Sequence, residues 1–373
     1  MKIAIMTQPL HTNYGGLLQA YALQRFLKEQ GHDVLTVDLP FKKAKFWGIR
    51  GILVNAIKKY VLKKDIKRVF PINNKEKARI SKHTDRFRQE NIETTHKIES
   101  VSRLNELEKY NFSTFIVGSD QVWRPQYSPG IEAFFLNFIK DPSIKKISYA
   151  ASFGVDNISE FDHDLLEKCS HHLKQFDAVS VREDSAVNLC RDNFGVEALH
   201  VIDPTMLLEA SQYNALIDKE KHIDIPKGVM VYVLDQSEDK KAVVTKVVSK
   251  LNISSFELMP QNDLDQYQPV TRWIQGFRDS QFVVTDSFHG VVFSIIYNKP
   301  FIAIGNSERG LARFNSLLKM FNLEHRLVDS VNLLNDKLLD LEVDFTEVNK
   351  ILSQKRAFAS KFLLSAINEH QYV

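Results

Sequence analysis

The sequence predicts an α/β protein, with parallel sheets covered by helices, divided into two domains. Three observations carry this expectation. Strand-like and helix-like segments alternate along the chain, the pattern that parallel strands with crossover helices produce. The chain has 373 residues, more than one ordinary hydrophobic core holds. Strand candidates such as Phe282-Val-Val284 are unbroken apolar runs, as strands buried on both faces require.

Taken in order, Lys2 to Met6 is the first strand, followed by a helix from Leu17 to Gln30. That helix carries an apolar stripe through Leu18, Tyr21, Ala22 and Phe26, and Gly31 ends it. Val34–Val37 returns as a strand, and further strands are expected at 112–117, 147–151, 178–181 and 198–202. Asp203-Pro204 follows, and proline restricts the residue before it, so the boundary between domains 1–204 and 205–373 is placed there. A second set of alternations holds strands at 228–234, 282–285 and 300–304, with a helix over Val291–Asn298. The last segment, 345–370, reads as a helix that can pack back on the first domain.

Composition narrows the function. With 44% hydrophobic and 25% charged residues the chain is of the soluble globular type. Its net charge of +3 gives no reason to expect nucleic acid as a partner. The start at Met1 has no signal-peptide pattern, and no apolar run reaches 18 residues, so the expected location is the cytoplasm. Cys169 and Cys190 fit no C-x-x-C spacing and are read as reduced and structural. His171-His172 are helix neighbours pointing different ways, and no cluster has metal-ligand spacing, so no metal is expected.

One stretch breaks the α/β rhythm. Residues 42–68 carry ten Lys/Arg and one acid, Asp65, with apolar residues near helical spacing. The preferred reading is a solvated helix whose apolar side packs on the first domain. The alternative is contact with an anionic membrane, which would put the protein at the inner face of that membrane.

Four strand ends carry the chemistry-bearing residues. Thr285-Asp-Ser-Phe-His-Gly290 follows an apolar strand and opens a helix, where free N–H groups and the helix dipole suit an anion. His289 and Asp286 are the acid/base candidates there, with Ser287 and Gly290 beside the ligand; the alternative makes Asp286 or Ser287 a helix cap. In the loop entering the first helix, Asn13, Tyr14, Gly15 and Gly16 offer backbone to an anion or sugar, or form a tight turn. After the third strand, Ser119, Asp120, Gln121 and Trp123 are suited to holding a sugar, although Asp120 as a turn cap and Trp123 as core remain open. Arg182 stands at another strand end, with a guanidinium fork for carboxylate or phosphate, or for an ion pair with Glu183. Arg309 and Arg313 add positive charge near the His289 rim, or lie on the surface.

Four segments occur in order: N-Y-G-G-L-L-Q-A-Y-A-L-Q from Asn13, V-G-S-D-Q-V-W from Val117, S-V-R-E from Ser180 and T-D-S-F-H-G-V-V-F-S-I-I from Thr285. In that order and wording the chain resembles the polysaccharide pyruvyl transferase family, over roughly residues 1–320. The resemblance implies two Rossmann-like domains facing across a cleft, as in the glycosyltransferase-B fold. It implies transfer of a pyruvyl group from phosphoenolpyruvate to a sugar, with ketal formation and no further cofactor, in cell-surface polysaccharide synthesis. The acceptor would be a sugar or lipid-linked oligosaccharide. His289 matches the family's catalytic histidine and Arg182 its strand-end arginine, while Asp120 and Asn13 would face the cleft from the first domain to bind or activate the acceptor, which makes Asp120 a third catalytic candidate beside His289 and Asp286. Many members carry Arg-Leu before this histidine; here Ser287-Phe288 stand there, and Arg309 or Arg313 is expected to take the anion unless the donor differs. A nucleotide-sugar glycosyltransferase of the same fold and a non-catalytic glycan-binding protein are the alternatives.

Overall fold

The computed structural model describes residues 1–40, 49–61, 72–128, 130–220, 224–260, 264–305 and 310–368. Two parallel sheets form two α/β domains. The first contains β1 (Lys2–Met6), β2 (Asp33–Thr36), β3 (Thr114–Val117), β4 (Lys145–Ala151), β5 (Ala178–Val181) and β6 (Leu199–His200), in spatial order β2-β1-β3-β4-β5-β6. The second contains β7 (Val229–Tyr232), β8 (Ser255–Glu257), β9 (Phe282–Thr285), β10 (Phe301–Ile304) and β11 (Leu327–Val328), in order β11-β10-β9-β7-β8. The central strands β3, β7, β9 and β10 are buried along their whole length, which is why their sequences are continuous apolar runs.

Each sheet has a point where strand order reverses, between β1 and β3 in the first and between β7 and β9 in the second. Loops leaving neighbouring strands diverge there, opening a crevice at the carboxyl ends. The four loops after β1, β3, β7 and β9 are therefore the ones placed to bind a ligand.

Both helices that follow critical strands start three residues earlier than apolar spacing suggests. The helix Tyr14–Glu29 takes in Gly15 and Gly16, because the Asn13 side chain caps it by accepting from Gly16 N at 3.2 Å. The helix Phe288–Ile296 is capped by Ser287. The expected strand at 198–202 shrinks to Leu199–His200, and the capped helix Asn74–Asn91, whose buried residues are few, lies in a stretch given no element above.

The domains are joined by apolar packing and by specific bonds. Tyr14 lies against Trp273 at 5.5 Å between ring centroids and donates to Gln268 O at 2.9 Å. Tyr267 N donates to Ile80 O at 3.1 Å, and Arg79 Nη2 to Leu264 O at 2.7 Å, so Asn74–Asn91 roofs one side of the cleft. The terminal helix Phe345–Asn368 returns to the first sheet, where Lys145 Nζ donates to Ile367 O at 2.7 Å. Cys169 and Cys190 are free and buried. Much of the basic segment lies outside the described residues; in the part described, Leu53, Val54, Ile57, Tyr60 and Val61 are exposed rather than packed on the first domain.

Candidate active site

The loops from the two reversal points converge on a cavity of about 300 Å³. His11–Tyr14 line it from the β1 loop, Asp120 and Gln121 from β3, Tyr232 and Leu234 from β7, and Asp286–His289 from β9, with Arg313 beside them. A larger cavity of about 810 Å³ shares Thr12, Leu234, Met259 and Tyr267 with it, so open space continues away from His289.

His289 is carried by the second domain but seated on the first. Its Nε2 lies 3.7 Å from Asp203 Oδ2, beyond hydrogen-bond reach, and the two form an ion pair only when the ring carries a second proton. Its Nδ1 side faces Gly15, where an added Cβ would stand 2.0 Å from that nitrogen. Glycine at position 15 is thus required by the imidazole itself. The ring is nearly buried, with Phe288 at 5.3 Å between centroids on one side, and it borders the cavity.

Asp203 is the functional candidate that sequence reasoning passed over. The Asp203-Pro204 pair was read only as a chain break, whereas its carboxylate also accepts from Thr205 N at 3.0 Å and Thr205 Oγ1 at 2.7 Å. Arg182 Nη1 donates to it at 2.8 Å and Ser119 Oγ at 3.3 Å. A carboxylate just past a strand end, capping the turn that opens at Pro204, was the available signal.

Arg182 is not at the cavity wall. Its side chain is 1% exposed and held by Asp203, by Asp120 at 3.4 Å and by Glu183 at 3.6 Å. The expectation that its fork grips a ligand is corrected: three carboxylates already occupy it. Its guanidinium also stacks over Phe288 at 4.4 Å, and Arg313 approaches the same ring at 5.8 Å. Phe288 therefore has two cations close to its ring. Arg313, not Arg182, lines the cavity.

Other expected site residues divide similarly. Asp286 borders the cavity, but its carboxylate accepts from Leu234 N at 2.7 Å, Asp235 N at 3.2 Å and Lys240 Nζ at 2.7 Å. It ties the β7 loop to the β9 turn, so a positioning role replaces the catalytic one. Trp123 is wholly buried, stacks on Phe135 at 5.2 Å and donates to Phe134 O, which makes it core. Ser119 is likewise buried behind the wall, and Gly290 packs where a Cβ would stand 2.2 Å from Thr285 Oγ1. Ser287 accepts from Gly290 N at 3.4 Å as the helix cap while still bordering the cavity. Gly16 serves the Asn13 cap. Asp120 adopts a left-handed φ of 69° and accepts from Gln121 N at 2.9 Å. Arg309 lies outside the described residues. Among the described residues no group of three His, Cys, Asp or Glu is placed to hold a metal ion.

The charges behind the wall shape one another. Burial pushes the Asp203 carboxyl up, but His289, Arg182 and Thr205 outweigh it and hold the group well below the usual carboxylate range. Asp120 shows the same balance, with burial overcome by Arg182, His289 and Arg313. For Glu183 burial wins, and its carboxyl is raised despite Arg182. Burial, then repulsion from Arg182, pulls Arg313 down to about 10, so it remains a cation at neutral pH. The depressed Asp203 and Asp120 contribute stability that is present above the unfolded carboxylate pKa of about 3.9 and is lost as pH falls toward their folded values. Urea midpoints are therefore expected to drop steeply below about pH 4. Asp203→Asn should flatten that slope, and an unchanged slope would remove Asp203 from the account.

Two wound parallel sheets whose ligand-side loops meet across a cleft define the glycosyltransferase-B class of fold. Solved structures of UDP-GlcNAc 2-epimerases share it. That from Neisseria meningitidis, bound to UDP-GlcNAc, matches with a TM-score of 0.51 at 10% identity over 99% of this chain and 100% of its own. That from Methanocaldococcus jannaschii matches with a TM-score of 0.52 at 10% identity over 99% of both chains. At such identity the likeness concerns the fold alone. No curated protein matches the sequence. The family model described as polysaccharide pyruvyl transferase matches residues 13–308, and the chain belongs to that family. The matched span holds every expected site residue except Arg309 and Arg313. Among the described residues no helix is long and apolar enough to cross a membrane.

Proposed function

We propose that this protein transfers a pyruvyl group from phosphoenolpyruvate to two hydroxyls of a sugar, forming a cyclic ketal and releasing phosphate. The observation that carries the reading is His289 and Arg313 sharing one interdomain cavity, with Asp203 behind the imidazole. In the first step a sugar hydroxyl oxygen bonds to C2 of the donor, its proton leaves, and C3 takes up a proton. In the second, the C2–O bond to phosphate breaks and a second hydroxyl closes the ring, giving up its own proton.

His289 is the group suited to carry these protons, since an imidazole ring both accepts and donates a proton through its nitrogens. Asp203 supports the imidazolium that forms. Arg313 faces the anionic donor, replacing the arginine that many relatives carry at the position of Ser287. Asp120 and Asn13 border the acceptor side from the first domain. The adjoining cavity of about 810 Å³ leaves room for a glycan larger than one sugar.

The test is phosphate release from phosphoenolpyruvate that requires an added sugar acceptor. Thermal stabilisation by UDP-GlcNAc with none by phosphoenolpyruvate would instead favour a nucleotide-sugar enzyme of this fold. Hydrogen bonds to charged groups contribute about 1.5–3 kcal/mol, so Arg313→Ala is expected to raise KM for phosphoenolpyruvate roughly 10–100-fold. A KM within twofold of the parent would take Arg313 out of the donor site.

A further inference from the structure

We propose that the helical segment 49–61 seats the protein on an anionic bilayer. It runs as a helix over Ile49–Ala56 and continues as a wider helical turn over Ile57–Val61. Leu53, Val54, Ile57, Tyr60 and Val61 recur at the spacing of one helix face. They are 47–72% exposed, and they make up five of the twelve large apolar residues that are exposed among the described residues. Among the described residues nothing covers this face.

Charge decides what covers it. Residues 42–68 hold ten Lys/Arg against Asp65 alone, leaving 39 basic against 45 acidic residues elsewhere. The net positive charge of the chain thus lies, in sequence, in the stretch that contains and flanks this face, while the remainder is net negative. Two copies meeting through such segments would bring like charges together, whereas anionic headgroups neutralise them. Apolar side chains with Tyr60 among them, flanked by lysines, match the composition of helices that lie in the headgroup plane. The net negative remainder would be repelled by the same surface, so the segment also sets which side of the molecule faces it.

The full chain is incubated with phosphatidylcholine vesicles and with vesicles containing phosphatidylglycerol, then sedimented. Binding is expected only to the second kind and should weaken as salt rises. Removing two large aliphatic side chains from the interface should lower partitioning at least about tenfold, so Leu53→Asp with Ile57→Asp is expected to stay in the supernatant. Lys58→Glu should weaken binding by a smaller factor, and both variants should keep the parent's thermal midpoint because the altered side chains touch solvent. Equal sedimentation of parent and variants overturns the proposal, as does binding indifferent to phosphatidylglycerol. A parent that is dimeric in solution, with a monomeric Leu53→Asp/Ile57→Asp variant, overturns it in favour of a second copy of the chain.

Discussion

Replacing His289 with alanine is expected to lower kcat by at least about a hundredfold, since general acid–base catalysis contributes roughly 10²–10⁴-fold. The loss should fall on kcat rather than on KM for phosphoenolpyruvate, because Arg313 is left to hold the donor's charge. Folding should survive. Among the described residues the imidazole Nε2 has no hydrogen-bond partner, so its removal strands no donor there. Steady-state phosphate release with a saturating sugar acceptor measures the effect. A decrease of only a few-fold would assign proton transfer elsewhere, and His11 and Asp120, which border the same cavity, would be examined next.

Arg182→Met is expected to have the largest effect on stability, about 3–5 kcal/mol, because breaking a buried pair leaves uncompensated charge behind. Here the guanidinium is the hub for Asp120, Glu183 and Asp203, all buried. Burial lowers the Arg182 pKa, yet the three carboxylates raise it overall, which marks the cation as the group that makes their ionisation tolerable. Urea unfolding at pH 7 gives the readout. A loss below about 1 kcal/mol, the range of exposed pairs, would show that water reaches the cluster and screens it. Activity should fall as well, since Asp203 loses the partner that fixes it beneath His289.

Much of the framework was legible in the residues because parallel strands buried on both faces leave continuous apolar runs. β1, β5 and β9 have the bounds expected for them. The helix starts at Tyr14 and Phe288 were read late, since apolar periodicity begins only after the first turn while the caps, Asn13 and Ser287, are polar. Strand ends singled out His289, Asp120 and Asn13 separately, and the family resemblance put them at one cleft; with Arg313 they border one cavity. What spacing did not carry was direction. Arg182 and Trp123 leave their strand ends toward the interior, and Asp286 turns its carboxylate to backbone amides. Asp203 escaped notice because its partner, His289, is 86 positions away and no local pattern joins them.

The seating of His289 against Gly15 and Asp203 has a consequence for how the protein turns over. The imidazole is anchored to one half of the molecule and its socket to the other, so neither half alone holds a complete proton-transfer unit. On the reaction proposed above, parting the two halves would separate the ring from Asp203 and leave no paired acid–base group on either one.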